Sequence, residues 1–366
     1  MNLVRLGDLT RIKTGKLDAN ASSPNGKYPF FTCSREPLRI ETYSYDCECV
    51  LVAGNGDLNV KYYNGRFDAY QRTYIIESNN TNVLLPRYLF FFLELYIEIL
   101  RKQSVGGVIK YIKLGNLTEA QIPLCSIQEQ TEIIALLEKQ CNLIESRKNQ
   151  LVLFDDLVKS QFIEMFGDPE TNPYDFEKVA INDVCSSIVR GPFGSALKKD
   201  FFIEKSNNSY KVYEQKHAIQ KSATIGTYYI DELKFKELSR FECKPGDFIM
   251  SCSGTMGELY QLPKDCERGI INQALCKFTL NDKISPVFFT TYMSQTIGNL
   301  ETKGSGIKNI AAVSYVKSMP VILPPLEIQN QFARFVEQTD KSKFRIKQSL
   351  EKLEKCYKAL LQKYFG

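Results

Sequence analysis

Several short stretches of this sequence carry residue types that could do chemistry, and each needs partners elsewhere in the chain. Ala53-Gly54-Asn55-Gly56-Asp57 is glycine-rich enough to bring backbone amides close to a phosphate, as a nucleotide-cofactor loop does. Asp231-Glu232-Leu233-Lys234 sets carboxylates beside a lysine, the start of a site that holds Mg²⁺ and polarises water. His217 is the sole histidine, and the closest of the eleven cysteines are Cys47 and Cys49. With no CxxC and no second histidine, zinc has no ligand set, and the scattered cysteines read as reduced packing thiols. His217 reads as a surface or structural residue, and the Asp231 cluster as a solvated charged turn. General acid–base chemistry has no evident home, so no catalytic and no metal site is expected.

The elements that would position any such groups are those of an ordinary globular protein of two domains with connectors: 366 residues, 43% hydrophobic and 24% charged. The first residues, Met1-Asn2-Leu3-Val4-Arg5-Leu6, are charged too early for a signal peptide, so a cytoplasmic location is expected. The most apolar stretch, residues 83–100, contains Arg87, Glu94 and Glu98 and reads as a buried helix, not a membrane span. The net charge of +5 alone selects no partner.

Internal repetition organises the rest. Residues 122–130 read IPLCSIQEQ and residues 321–329 read VILPPLEIQ. The same offset of 199 carries Glu138 onto Glu337, Lys148 onto Lys347, Leu151 onto Leu350 and Phe166-Gly167 onto Phe365-Gly366. Upstream, with small changes of offset, residues 107–112 parallel 305–310, residues 50–56 parallel 248–254, and Leu6-Gly7-Asp8-Leu9 parallels Ile181-Asn182-Asp183-Val184. The chain is a tandem duplication. The glycine run at 53–57 falls on Cys252-Ser253-Gly254-Thr255, which is no cofactor loop, and neither copy sits in the strand–helix alternation of a cofactor-binding sheet.

Each repeat opens with a Gly-rich, aromatic part with short β-branched runs, which predicts a mainly β, α+β globule. Each closes with about 40 residues free of Gly and Pro, which predicts one long helix. Alternate four-three spacing picks out Phe332, Val336, Thr339, Lys343, Ile346, Leu350, Leu353, Tyr357, Leu360 and Tyr364 in the second helix. The repeat offset puts Ile133, Leu137, Gln140, Ile144, Arg147, Leu151, Phe154, Val158, Gln161 and Met165 on the same seam of the first, a coiled-coil pattern. Residues 126–167 carry four Lys/Arg against seven Asp/Glu (net −3) and residues 326–366 nine against five (net +4), so the helices should attract. The expected boundaries are a first globule at 1–123, a helix at 124–167, a linker at 168–177 with Gly167 and two prolines stopping the helix, a second globule at 178–323 and a helix at 324–366.

With these residues in place, the chain resembles the specificity subunits of type I restriction-modification systems. The resemblance rests on Ile122-Pro123-Leu124 and Leu323-Pro324-Pro325-Leu326-Glu327-Ile328-Gln329 ahead of the helices, and on Met165-Phe166-Gly167-Asp168-Pro169 after the first. In the second globule it rests on residues 191–198, 245–249, 253–257 and 271–274. Cys125-Ser126 stands where the second repeat has Pro324-Pro325, which should weaken that turn. The resemblance implies two target-recognition domains separated by two long antiparallel helices, with an approximate two-fold relation between the repeats. Each domain would read one half of a split, asymmetric double-stranded DNA site. Methyltransferase subunits would bring S-adenosylmethionine and restriction (nuclease-translocase) subunits would bring ATP and Mg²⁺, with no cofactor on this chain and no membrane partner.

DNA reading asks for basic groups to hold phosphates and for amide, hydroxyl or guanidinium tips to read base edges. In the first repeat the candidates are Lys61, Tyr62, Arg66, Gln71 and Arg72, clustered after the glycine turn. In the second they are Lys198, Lys199, Ser253, Thr255, Asn272 and Gln273, with Lys110 and Lys308 as duplicated phosphate contacts beside glycines. Two other classes compete. One is a self-contained DNA methyltransferase or nuclease, to which Asn172-Pro173-Tyr174 is similar but lacks the second proline of the adenine methyltransferase tetrapeptide. The other is a structural adaptor that binds no DNA.

Overall fold

The computed structural model describes residues 2–296 and 313–366. The chain forms two compact units, Met1–Leu151 with Arg345–Gly366, and Val152–Phe344. The division cuts both long helices, Ile127–Phe166 and Leu326–Phe365. Each unit therefore holds a globule, the first part of one long helix and the last part of the other.

In the first unit, strand β1 (Asn2–Arg5) pairs antiparallel with β8 (Gln121–Leu124), closing the globule at the root of the helix. Between them lie β2 (Thr10–Thr14), β3 (Tyr28–Phe31), β4 (Leu38–Ile40), β5 (Tyr45–Ala53), β6 (Val60–Ala69) and β7 (Thr73–Ser78). They form one sheet in the order β2-β7-β5-β6-β3-β4, antiparallel except for β3 beside β6. Side chains alternate across the sheet. Val50, Val52 and Ile76 pack toward helix α1 (Pro86–Gln103), and Cys49, Leu51 and Ile75 toward Phe31 and Phe67 on the other face. Helix α1 takes up the apolar stretch from Pro86 onward. Among the described residues no helix is long and apolar enough to cross a membrane.

The second unit repeats this plan. Strand β9 (Lys178–Ala180) pairs with β18 (Pro320–Ile322), and Ile181 N donates to Met319 O at 2.9 Å as Leu6 N does to Ala120 O at 2.8 Å. The intervening strands are β10 (Cys185–Arg190), β11 (Tyr210–Tyr213), β12 (Tyr229–Ile230), β13 (Glu242–Cys243), β14 (Phe248–Ser251), β15 (Leu259–Gln261), β16 (Gly269–Ile271) and β17 (Leu275–Leu280). The order β10-β17-β14-β15 matches β2-β7-β5-β6. The remaining strands form a second sheet, β12-β11-β16-β13, in which β11 runs parallel to β16 as β3 does to β6. Helix α2 (Pro286–Thr296) takes the place of α1.

Two buried glutamines tie each helix to its globule, and they are equivalent in the repeat. Gln130 Oε1 accepts from Leu85 N (2.9 Å), and its Nε2 donates to Val83 O (2.8 Å) and Cys125 O (3.0 Å). Gln329 Oε1 accepts from Ser285 N (2.8 Å), and its Nε2 donates to Pro324 O (2.7 Å) and Lys283 O (3.4 Å). In each unit one amide satisfies backbone groups on the segment before α1 or α2 and on the lead-in to the long helix, groups that burial would otherwise leave unpaired. The turn at Cys125-Ser126 has its own remedy. Ser126 N and Oγ both donate to Glu129 Oε2 (2.9 and 2.8 Å), a capping box that holds the Glu129 carboxyl below its usual range and stands in for the two prolines.

The helices pair antiparallel within each unit. In the first, Lys148 meets Glu354 at 3.5 Å, and Ile133 and Leu137 share a core with Leu361 and Phe365. In the second, Asp155 meets Lys343 at 2.6 Å, and the Phe162 and Phe166 rings lie 5.5 Å from that of Phe332. None of the twenty seam residues read from the sequence is exposed. Gly167 ends the first helix at φ +73, where a Cβ would lie 2.3 Å from the Pro173 ring, so glycine and proline stop it together.

Candidate nucleic-acid interface

In the first unit three connections meet at one end of the sheet, because β2 leaves, β5 leaves and β7 enters there. They are the exit of β2 at Gly15, the glycine turn at 54–57 and the turn at 70–72. Gly15 N donates to Thr73 O (3.1 Å), and Gly54 N donates to Arg72 O (2.8 Å). Tyr70 N donates to Phe31 O (2.9 Å) and Thr73 N to Tyr70 O (2.8 Å). Gly15 has no room for a side chain, since a Cβ would sit 2.1 Å from Ala69 O.

The second unit builds the same backbone. Gly191 N donates to Leu275 O (3.0 Å), Cys252 N to Ala274 O (2.8 Å), Asn272 N to Tyr213 O (2.9 Å) and Leu275 N to Asn272 O (3.1 Å). A Cβ on Gly191 would lie 1.9 Å from Asn272 O. Gly56 and Gly254 share the left-handed conformation, φ +68 and +63. Bond for bond, Gly15 matches Gly191, and the turn Tyr70-Gln71-Arg72 matches Asn272-Gln273-Ala274. Both Gln71 and Gln273 are exposed at its tip.

This equivalence escaped the sequence reading. Strand β10 carries a one-residue register shift between Cys185 and Ser187, which moves Gly191 out of phase with the offset of Leu6 onto Ile181. Gln215 was missed as well. Its Nε2 donates to the Ser253 carbonyl and to Thr255 O (3.1 Å), fixing the second glycine turn, and only an unremarkable Glu214-Gln215-Lys216 marks it in the sequence.

The candidates read from the sequence fall into three groups. Gln71, Arg72, Ser253, Thr255, Asn272 and Gln273 belong to the connections just described. Lys61 and Lys110 lie beside those of the first unit. Gly56 N donates to Lys110 O (3.0 Å), and Lys61 Nζ donates to Asn59 Oδ1 under a burial that lowers its pKa. Gln71 Nε2 donates to Asp18 Oδ1 (2.7 Å), Asn272 Oδ1 accepts from Ala274 N (3.1 Å), and the exposed Arg72, Lys110 and Gln273 side chains make no hydrogen bond to described residues.

The other candidates lie elsewhere. Arg66 pairs with Asp46 (3.0 Å) on β5. Tyr62 lies under the Arg87 guanidinium, 4.4 Å from its ring centre, and donates to Glu48 Oε1 (2.6 Å); burial and that carboxylate push its pKa up to about 12. Lys198 and Lys199 are exposed at the start of a short helical turn, Lys199–Phe201. Lys308 lies outside the described residues.

The look-alike motifs have other work. The glycine turn at 54–57 joins the antiparallel β5 and β6, with no helix for a phosphate to cap. Asp231 caps the helix Glu232–Glu237 by accepting from Lys234 N (2.7 Å). His217 is fully buried, its ring nitrogens bonded to Glu214 N (2.8 Å) and Ile225 O (2.7 Å), and burial lowers its pKa. Asn172 bonds the backbone of its own loop at Phe176 (2.8 and 3.1 Å). All eleven cysteines are unpaired. Among the described residues no three His, Cys, Asp or Glu converge as metal ligands.

Against known proteins, residues 1–153 and 173–355 match the family described as the type I restriction modification DNA specificity domain. A 156-residue stretch, 43% of this chain, is 38% identical to the type I restriction enzyme EcoDI specificity subunit of Escherichia coli and covers 34% of that protein. The match thus spans about a third of that relative. Among solved structures the fold is similar to the S subunit of a type I restriction-modification system from M. genitalium, with TM-score 0.58, 15% identity, 100% of this chain and 96% of that one. It is also similar to a chain from a structure on complex assembly and conformational transition of the type I R-M system, with TM-score 0.63, 16% identity, 99% of this chain and 97% of that one.

Proposed function

Because this chain belongs to the type I restriction-modification DNA specificity family, we propose that it is the DNA-reading subunit of such a complex, with one reader in each unit. The observation that carries this reading is the duplicated sheet end. Two glycines without room for a side chain, two left-handed glycine turns and two exposed glutamines recur bond for bond, while the neighbouring side chains differ. A rigid backbone with variable polar tips suits base-edge readout, in which amides and guanidinium groups donate and accept in the major groove. Because Arg72 in one unit corresponds to Ala274 in the other, the two half-sites read are different and the whole site is asymmetric.

The chain does no chemistry in this proposal. Methyltransferase subunits carry S-adenosylmethionine, restriction (nuclease-translocase) subunits carry ATP and Mg²⁺, and this subunit, acting in the cytoplasm, supplies position. Arg72, Lys110, Lys198, Lys199 and Lys308 hold phosphates, and Gln71, Ser253, Thr255, Asn272 and Gln273 face bases.

Filter binding tests it. The purified chain should bind duplex DNA with an affinity that falls steeply as salt rises, and Lys110→Ala should reduce the slope of log K against log salt by about 1. Absence of binding at low salt would favour an adaptor. Methyl transfer from labelled S-adenosylmethionine by the chain alone would favour an enzyme.

A further inference from the structure

We infer that Val108 and Ile109 form an apolar wedge that the first unit presses between two base pairs through the minor groove, an inference that rests on the DNA-reading proposal above. Val108 is 103% exposed and Ile109 63%, at the tip of a loop whose base is tightly held. Val105 N and Tyr111 N each donate to the other's carbonyl (3.0 and 2.9 Å), closing a miniature hairpin. The hairpin is pinned to the glycine turn, since Gly56 N donates to Lys110 O (3.0 Å) and Ile112 N to Gly54 O (2.9 Å). Tyr74 Oη donates to Ile112 O at 3.2 Å. The tip therefore stands at the sheet end that carries Gln71 and Arg72.

Two branched apolar side chains in water on a pinned hairpin add nothing to the core. Their surroundings indicate the surface they meet: Lys102 in the last turn of α1 and Lys110 and Lys113 on the connection are all exposed, and the segment 102–113 contains no acidic residue. An apolar point flanked by three cations fits a groove walled by phosphates around stacked bases. The minor groove, about 6 Å wide, excludes a helix but admits a two-residue tip. Gly106 at φ +120, where a Cβ would lie 2.5 Å from Ile109 O, lets the loop fold tightly enough to expose that tip. Apolar wedges of this kind unstack one base step and kink the duplex, and contacts made by the bent DNA offset the unstacking. In the repeat Val108 falls on Gly306 and Ile109 on Ile307, so only one of the two branched residues recurs in the second copy. The wedge accordingly belongs to the first half-site.

The test uses the full complex with its methyltransferase subunits and the duplex identified by methylation sequencing. 2-Aminopurine is placed at each position in and beside the first half-site except the methylated base, whose own extrusion would brighten the probe. One step should brighten on binding, and Val108→Ala/Ile109→Ala should cut that rise by about three-fold or more while preference for the cognate over a scrambled duplex persists. Because both side chains are exposed, the double variant should fold as the parent does, which circular dichroism checks. An undiminished rise in the variant, or no rise at any position in the parent, overturns the wedge while leaving the DNA-reading proposal intact. Loss of subunit assembly in the variant with the rise unchanged identifies the tip as a protein contact and also overturns it. No preference for the cognate duplex in the parent overturns both.

Discussion

In the first unit the strand after the glycine turn runs unbroken over Val60–Ala69, whereas in the second the corresponding stretch is split into Leu259–Gln261 and Gly269–Ile271. The intervening residues serve the extra sheet. Glu267 accepts from the buried Lys211 (3.2 Å) and pairs with Lys205 (2.6 Å). Despite this difference, the turn that follows is held in both units by the same hydrogen bonds, and the same glycine presses against it. This sheet end is thus fixed by backbone locks and steric exclusion, not by the strand leading to it. That leaves the periphery free to change without moving the tips.

A second contrast lies between repeat and unit. The sequence repeat is a globule followed by its helix, but each compact unit is finished by the end of the other repeat's helix. Phe162 and Phe166 complete the second core, and their counterparts Leu361 and Phe365 complete the first. If this exchange is the main source of cohesion, Phe166→Ala should destabilise the second unit by about 3–5 kcal/mol, with Phe365→Ala at or below the low end of that range for the first because Phe365 is 8% exposed and Phe166 fully buried. Hydrogen exchange at helix α2 for Phe166→Ala, and at α1 for Phe365→Ala, reads each effect. Loss confined to the globule of the same repeat would break the comparison.

The glutamine locks come next in size. Gln130→Ala and Gln329→Ala each strand buried backbone groups and should cost about 2–3 kcal/mol. The effects should be equal within about 1 kcal/mol, since the bonds correspond. Chemical denaturation followed by exchange in each unit checks this, and a strongly unequal pair would mean that only one helix root depends on its amide.

The smallest expected difference is in pH response. Burial holds the His217 pKa below its usual value, so the unfolded chain takes up a proton first, and the second unit loses stability as pH falls below about 6.5 until the folded-state value is reached. In the first unit burial raises the Glu94 pKa, against the Tyr357 hydroxyl that donates to it and lowers it. The unfolded carboxyl therefore loses its proton first, and stability from this group falls as pH rises from about 4.5 through the raised value. Acidification should thus weaken the second unit through His217 and strengthen the first through Glu94. His217→Asn and Glu94→Gln should each flatten one slope in unit-resolved melting, and slopes of the same sign would contradict the assignment.

Much of this was legible in the sequence because it is periodic. The offset of 199 and the four-three seam are arithmetic on residue types, and the seam's residues are all buried or half-buried. What stayed hidden is where arithmetic breaks. One extra residue at Cys185/Ser187 masked the match of Gly15 to Gly191, and the split strand masked that of Gln71 to Gln273. The exchange of helix ends left no trace, since Phe166 is equally apolar whichever core it enters. Lys61, Tyr62 and Arg66 look contiguous in sequence, but strand alternation puts Lys61 and Tyr62 on opposite faces, and Arg66 is held in an ion pair with Asp46 on β5.

The most direct test of the central claim is methylation sequencing of a host whose copy of this chain has residues 1–123 replaced by another reader of the same family. The account expects one half of the methylated sequence to change while the other half persists unaltered. A change in both halves together, or in neither, would contradict two independent readers on one chain.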